Sequence, residues 1–148
     1  MDDPAKVEEM LRQLKAFTAD LLRLKAFSKQ ELLTDSLQVA AAKYLLLTSI
    51  ECCLDIANHI ISWEGFRAPA NYADSFKVLH EEGIVPSDFL PALQQMARFR
   101  NRLVHLYWIV DDEVVYEVLQ TNLGDFDRFA RLVSQYVSGP DASSHSVA

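Results

Sequence analysis

The sequence predicts an all-α protein, built as an up-and-down bundle of about five helices. Apolar residues recur at intervals of three or four along most of the chain, which is the spacing of amphipathic helices. The 148 residues include only four glycines and five prolines, too few for a turn-rich β-sandwich or a collagen-like chain. Half of the residues are apolar and 24% are charged, so a chain of this length can bury a substantial core and is not disordered.

The N-terminal part is predicted to form two long helices. The first covers Asp3–Phe27, with Asp3 as its N-cap and Pro4 in its first turn. The second begins near Ser28 or near Asp35. A capping-box pattern follows Ser28, whereas Asp35 immediately precedes the longer apolar pattern, so both starts remain open.

The second helix continues to about Trp63, which is long for a globular protein. Its segment Val39–Ile61 is apolar on almost every face and has the length of a membrane span. Polar and ionisable residues that would be costly in lipid interrupt this segment; they are Lys43, Thr48, Glu51, Asp55, Asn58 and His59. We therefore interpret it as the central helix of a bundle or as a dimer interface, with no membrane partner.

Two shorter helices are predicted next, after a connector that contains Gly65 and Pro69. One covers residues 72–82 and ends at Gly83. The other starts from a cap at Ser87 and runs to about Leu106.

A last helix follows a cap at Asp111 or Asp112, and Gly124 weakens the prediction that this helix is unbroken. Residues 138–148 are small and polar and are predicted to be a flexible tail. We therefore expect a single helical domain over residues 1–137.

Charge and cysteine content exclude further classes. A net charge of −7 argues against a general nucleic-acid coat protein, which needs a broad positive surface. Cys52 and Cys53 are adjacent and can hardly form a disulfide framework. No basic segment followed by an apolar one, as in a secretory signal, is present, so we expect a cytoplasmic protein.

The helix that ends near Leu106 carries an arginine within its apolar seam. Arg100 fills a gap between seam residues, which are Phe89, Leu93, Met96, Leu103 and Tyr107. A buried arginine is costly unless it has partners or lines a cleft. Asn101 and His105 share a face, with Arg98 and Arg102 close by. Arg100 and His105 lie about 140° apart on an ideal helix, so they meet only near the helix end or across a dimer.

The long helix carries a complementary line of polar residues at intervals of three or four, namely Tyr44, Thr48, Glu51, Asp55, Asn58 or His59, and Ser62. A polar line on a buried helix requires polar partners, and the cluster around Arg100 is the best candidate. The two helices then form a polar cleft. The alternative is a structural ion pair of Arg100 with Glu51 or Asp55, with His105 favoured by the helix C-terminus.

Other kinds of site are not supported. The four histidines, His59, His80, His105 and His145, are scattered and show no metal-ligand spacing. The sequence contains no glycine-rich phosphate loop and no nucleophile-elbow serine. We therefore expect neither a metal nor another cofactor.

Residues 100–107, Arg-Asn-Arg-Leu-Val-His-Leu-Tyr, resemble the Arg-x-x-x-x-His-x-Tyr motif of HepT-like toxins. These toxins belong to the HEPN class of small all-α proteins. The similarity covers residues 7–137 and is visible in several further segments, which are residues 40–59, 71–76, 82–85, 96–101 and 125–129. The extended motif is far more specific than an arginine and a histidine five residues apart.

This resemblance implies a homodimeric ribonuclease toxin whose partner is a minimal nucleotidyltransferase antitoxin. The antitoxin silences the toxin by transferring AMP to the motif tyrosine, which is Tyr107 here. The motif assigns catalysis to Arg100 and His105. The other roles are expected from residue chemistry and not from the motif. Asn101 is expected to orient His105 or to hold a phosphate oxygen, and Glu51 and Asp55 are further supporting candidates. Arg98 and Arg102 are expected to contact the RNA backbone.

The chemistry of these residue types fits metal-independent RNA cleavage. The neighbouring 2′-hydroxyl is the nucleophile, so the protein moves protons and stabilises charge. His105 suits general acid–base catalysis, and the guanidinium of Arg100 suits the charged phosphate. Two alternatives remain: a non-catalytic HEPN module that binds a nucleotidyltransferase or a nucleotide, and a structural helical dimer with a buried ion pair.

Overall fold

The computed structural model describes residues 3–139, and every regular element in that range is helical. The seven α-helices are α1 (Asp3–Lys25), α2 (Lys29–Leu33), α3 (Ser36–Glu64), α4 (Tyr72–Glu81), α5 (Leu90–His105), α6 (Asp112–Thr121) and α7 (Leu123–Ser138). A short 3₁₀ helix, Tyr107–Ile109, joins α5 to α6. The all-α prediction is confirmed. The predicted tail lies outside the described residues beyond position 139, as does the side chain of Asp3, the predicted first cap.

Both predicted starts of the second helix are used. Ser28 caps α2 through a capping box, in which its hydroxyl accepts from the backbone N–H of Glu31 and its own N–H donates to the Glu31 carboxylate. Asp35 then caps α3 by accepting from the backbone N–H groups of Leu37 and Gln38. The single predicted helix is therefore divided into α2 and α3, because Ser28 and Asp35, seven residues apart, each cap the start of a helix.

The helix α3 is the central element of the bundle and contacts all six other helices. Its buried residues form the core with side chains from the surrounding helices, including Leu46, Ile50, Ile56, Ile60, Leu14, Leu21, Phe76 and Phe129. Phe76 and Phe129 meet edge to face with ring centroids 5.7 Å apart. Within residues 3–139, no helix is long and apolar enough to cross a membrane.

Two further sequence predictions need correction. Ser87 does not cap α5, which begins at Leu90 without a side-chain cap and with Pro91 in its first turn. The predicted last helix is broken at Asn122 into α6 and α7. At the break, the Thr121 hydroxyl bonds to the carbonyl of Glu117 and to the Asn122 side chain, which is the kind of local hydrogen bonding that bends helices. These breaks raise the helix count from about five to seven.

The helix α5 positions most of the predicted site. Its buried residues are Leu93, Met96, Ala97 and Leu103, and it packs against α3 and α4. Arg100 lies within this inner face, as its place in the apolar seam predicts. The helix ends at His105, after which Leu106 leaves the helical conformation with φ −133° and ψ 38°.

Candidate functional site

Arg100 is held in the interface between α5 and α3 by Glu51. The Nη2 and Nε atoms of Arg100 donate to Glu51 Oε2 at 3.0 and 3.3 Å. The arginine side chain is 14% exposed, whereas that of Glu51 is 41% exposed. The ion pair therefore joins a largely buried cation to a carboxylate at the rim of the interface, as one of the two sequence interpretations expects.

Two further contacts fix the guanidinium. Its Nη1 atom donates to the side-chain oxygen of Asn101 at 3.2 Å, and its central carbon lies 4.6 Å from the ring centroid of Tyr72 on α4. A guanidinium over an aromatic face is stabilised by a cation–π interaction. Arg100 thus has defined partners on three helices, and Tyr72 is a partner that the sequence pattern did not identify.

The polar line of α3 forms one wall of a groove between α1 and α3, with a volume of about 660 Å³. Its members in the groove are Thr48, Glu51, Asp55, Asn58 and His59, and the opposite wall includes Lys6, Gln13 and Phe17. Tyr44 and Ser62, at the two ends of the predicted line, lie outside this groove. The polar residues of α3 therefore line a cleft between α1 and α3, next to the ion pair of Arg100 and Glu51.

The charge state of Asp55 reflects this environment. Burial and the negative charge of Glu51 raise its pKa above the ordinary value of 3.8, and the positive charge of Arg100 partly opposes that rise. Asn58, by contrast, turns towards α4 and accepts a hydrogen bond of 2.8 Å from Ser75. The acids nearest to Arg100 are therefore unequal, since Glu51 binds it directly and Asp55 acts through the electrostatic field.

His105 lies on the opposite side of α5 from Arg100. It is the last residue of the helix and is exposed. The two motif positions are five residues apart in the sequence, which gives an angle of about 140° around the helix axis. Within the described part of the chain no hydrogen bond or ion pair joins them. A single chain therefore presents the two motif residues on different surfaces.

Arg98 and Arg102 line another cleft, of about 440 Å³, between α3, α5, α6 and α7. Its floor is largely apolar and includes Met96, Phe99 and Phe126. Both arginines are exposed, and neither forms an ion pair with any residue between positions 3 and 139. The predicted RNA-contacting arginines are thus available for an external anion, but they do not share the surface of Arg100.

Tyr107 begins the 3₁₀ helix that follows α5 and is 40% exposed. Its ring faces Lys43 of α3, whose ammonium nitrogen lies 4.7 Å from the ring centroid. Sequence reasoning treated Lys43 only as an interruption of an apolar helix. The signal that identifies it is its register, because Val39, Lys43, Leu46 and Ile50 all point into the core.

Within residues 3–139, no group of three or more histidine, cysteine, aspartate or glutamate side chains is arranged to hold a metal ion. The cysteines are buried in α3. Burial raises the pKa of Cys52 to about 11 and that of Cys53 well above its ordinary value, so neither is poised as a nucleophile.

Comparison with known proteins gives a consistent result. The model of the HepT-like ribonuclease family matches residues 7–133. Among curated relatives, the mRNA nuclease HepT of Shewanella oneidensis is 32% identical over 83 residues, which are 56% of this chain and 62% of that protein. The chain spans only 59–65% of the length of three curated relatives that it matches.

Solved structures show the same fold. The tri-AMPylated HEPN toxin of Shewanella oneidensis, in complex with an MNT antitoxin, superposes with a TM-score of 0.80 at 25% identity, covering 90% of this chain and 98% of that one. YutE of Bacillus subtilis superposes with a TM-score of 0.73 at 22% identity, over 90% and 94% of the two chains. The family match spans most of the chain and includes the intact motif at positions 100–107. The chain belongs to the HepT-like ribonuclease family.

Proposed function

We propose that this protein is the toxin of a toxin–antitoxin pair and that it cleaves RNA without a metal ion. The observation that carries the proposal is the complete motif at the end of α5. There Arg100 is held by its partners, and His105 and Tyr107 are exposed. The relative described as an mRNA nuclease supports the substrate class. Such a reaction, with RNA as substrate and ATP used by the partner, belongs in the cytoplasm.

The proposed reaction is attack of a ribose 2′-oxygen on the adjacent phosphorus. A histidine accepts the 2′-hydroxyl proton, the bond from phosphorus to the 5′-oxygen breaks, and an acid protonates the departing oxygen. His105 is the candidate proton carrier, since its exposed ring can reach a bound strand. Arg100 is the candidate for stabilising the negative charge on the phosphate oxygens, and guanidinium donors suit that task. Asn101 and Glu51 support the arginine through the contacts described above.

We propose that the working form is a homodimer. Arg100 and His105 of one chain point to different sides of α5, so a second copy is the simplest source of a histidine beside each arginine. Exposed apolar side chains at the end of α5 and in the 3₁₀ helix provide a surface for that copy; they are Val104, Leu106, Trp108 and Ile109. Trp108 is 83% exposed, and clustered exposed apolar residues indicate an interaction site.

The electrostatics allow RNA binding despite the net charge of −7. The unpaired Arg98 and Arg102 provide local positive charge at the cleft between α3, α5, α6 and α7, and His105 follows Arg102 by three residues on the same side of α5. Backbone phosphates gain affinity from such contacts irrespective of sequence. Asp55 lies in the α1–α3 groove beside Glu51 and modulates the field at Arg100.

The partner that we propose is a minimal nucleotidyltransferase antitoxin that transfers AMP to Tyr107. Support comes from the AMPylated toxin in complex with an MNT antitoxin, which shares this fold, and from the exposure of Tyr107 next to the motif. An AMP group adds bulk and a negative phosphodiester beside the site. It would block RNA and offset the positive field that attracts it.

The test is cleavage of RNA by protein produced without a nucleotidyltransferase, in the presence of EDTA. We expect cleavage by the wild-type chain and a loss of at least about a hundredfold in His105→Ala, with the dimer retained in sedimentation. Gln94→Ala, a substitution on the same helix outside the motif, is the control and should cleave normally. Undiminished cleavage by His105→Ala would contradict the proposed mechanism.

A second candidate is a non-catalytic HEPN module that binds a nucleotidyltransferase or a nucleotide. The pairing of Arg100 with Glu51 favours it, because this arginine is already satisfied within one chain. RNA cleavage by the unmodified protein distinguishes the two functions. A binding module binds its partner or gains AMP, but the unmodified module leaves RNA intact. Intact-mass spectrometry of the wild type and Tyr107→Phe, with the partner and ATP, identifies the modified residue.

A further inference from the structure

Lys43 is a buried cation that the proposed cleavage mechanism does not use. It lies on α3, and its side chain is only 8% exposed. Burial of a lysine costs free energy unless its ammonium is compensated. An apolar residue would fill this core position without that cost, so the charge itself calls for a functional explanation.

The ammonium of Lys43 has two neighbours from different elements. Its Nζ atom lies 3.2 Å from Asp112 Oδ1, in the first turn of α6, and 4.7 Å from the ring centroid of Tyr107. The Asp112 side chain is itself half exposed. Lys43 therefore joins α3 to the two ends of the segment between α5 and α6, through an ion pair with Asp112 and a cation–π contact with Tyr107.

The contact between Lys43 and Tyr107 bears on the transfer of AMP to the tyrosine. When AMP is transferred from ATP, the phenolic oxygen forms a bond to the α-phosphorus. The bond from that phosphorus to the bridging oxygen breaks, and pyrophosphate departs with the electron pair. The phenolic proton passes to a base of the partner or to water. A neutral side chain thereby becomes a phosphodiester that carries one negative charge.

Resting on the proposed function, we propose that Lys43 is the positioning residue for nucleotidyl transfer to Tyr107. Its ammonium holds the aromatic ring by a cation–π contact, and the tyrosine held in this way remains 40% exposed. The same charge then stabilises the anion formed on that side chain. Asp112 keeps the lysine compensated before the transfer takes place.

The experiment measures AMP incorporation into the full chain by a nucleotidyltransferase partner, with ATP and partner concentrations varied. We expect Lys43→Gln to lower the maximal rate about tenfold, which corresponds to about 1.4 kcal/mol, and to leave the KM for ATP unchanged. Glutamine still donates a hydrogen bond to Asp112 but carries no charge. Lys43→Arg restores the charge and should recover the rate to within about threefold.

Lys29→Gln is the matched control. Lys29 also pairs with an acid in the first turn of α6, Glu113, at 3.7 Å, but no cation–π contact joins it to Tyr107. The Lys29→Gln variant should therefore incorporate AMP at the wild-type rate. The proposal is overturned if Lys43→Gln is modified at the wild-type rate, or if Lys29→Gln loses as much. A wild-type chain that gains no AMP contradicts the proposed function instead.

A second measurement uses only the wild-type chain, in case Lys43→Gln fails to fold. An anion formed beside a buried ammonium should stabilise the folded state, so the melting temperature should rise by about 2–4 °C on modification of Tyr107. The rise should shrink at high salt. An unchanged or lower melting temperature of the modified protein overturns the proposal.

Discussion

Replacement of Glu51 by glutamine removes the charge that compensates Arg100. We expect this change to lower the free energy of unfolding by about 2 kcal/mol. Two unit charges about 4 Å apart at an effective dielectric constant of about 20 attract by roughly 4 kcal/mol. Desolvation offsets part of that attraction. Exposed pairs contribute about 0–1 kcal/mol, whereas breaking a buried pair costs about 3–5 kcal/mol. With a 14% exposed arginine and a 41% exposed glutamate, this pair falls between those limits.

The assay is a double-mutant cycle in urea with Glu51→Gln, Arg100→Met and the double variant. Glutamine and methionine approximate the shapes of the original side chains without their charges. We expect a coupling energy of about 1–2 kcal/mol between the two positions. All four proteins are measured at one concentration, because dissociation of a dimer would otherwise shift the apparent stability. A coupling below about 0.5 kcal/mol would refute the reasoning that this ion pair is a structural element.

The same variants separate structural from catalytic contributions. If Arg100 stabilises the phosphate in the transition state, Arg100→Met should lose at least about a hundredfold in RNA cleavage. Glu51→Gln keeps the guanidinium and one hydrogen-bond acceptor, so its loss should be about tenfold or less. If Arg100→Met and Glu51→Gln lose similar stability but very different activity, Arg100 has a role in cleavage in addition to its structural ion pair. Equal losses in both variants would assign the effect to folding.

Three further outcomes follow from burial and charge. The raised pKa of Asp55 means that this carboxyl binds its proton more tightly in the folded state than in the unfolded state. The free energy of unfolding therefore falls as pH rises from 3.8 through the raised pKa. Asp55→Asn should melt at a higher temperature than the wild type at neutral pH and show no gain below pH 3.8. Iodoacetamide at mildly alkaline pH should label Cys52 and Cys53 in urea but not in the native protein, since burial raises both thiol pKa values; mass spectrometry gives the count. Leu46→Ala, at a fully buried site, should cost about 2–5 kcal/mol in urea unfolding, whereas the exposed Leu37→Ala should change stability by less than about 0.5 kcal/mol.

The elements that local chemistry determines could be predicted from the sequence. The caps at Ser28 and Asp35 follow from side-chain hydrogen bonds to the next turn, and the place of Arg100 in an apolar seam predicts a buried guanidinium with an acidic partner on α3. The break at Asn122 carries no comparable capping pattern in the sequence, because no side chain caps the start of α7. The weak signal available, Gly124, lies two residues beyond it.

Features that depend on long-range packing could not be predicted. The contact between Lys43 and Tyr107 joins residues far apart in the sequence, and only the register of α3 against the segment after α5 creates it. The stacking of Tyr72 on Arg100 likewise requires α4 to pack beside α5. Sequence spacing gave the angle between Arg100 and His105 but not which helices would face each side.

The two faces of α5 give a physical reason for the five-residue spacing in the motif. An arginine on the inner face can be held rigidly by Glu51 and Tyr72, while a histidine about 140° away at the helix end is exposed to solvent. A spacing of three or four would place both on one face and expose or bury them together. In the mechanism that we propose, this separation gives each residue the environment that its chemistry needs, and the reaction depends on a second chain that brings a histidine to the arginine. In that arrangement, a negative group on Tyr107, two residues after His105, acts at the place where the two chains would meet. Modification of one exposed tyrosine can then silence a site built from two copies.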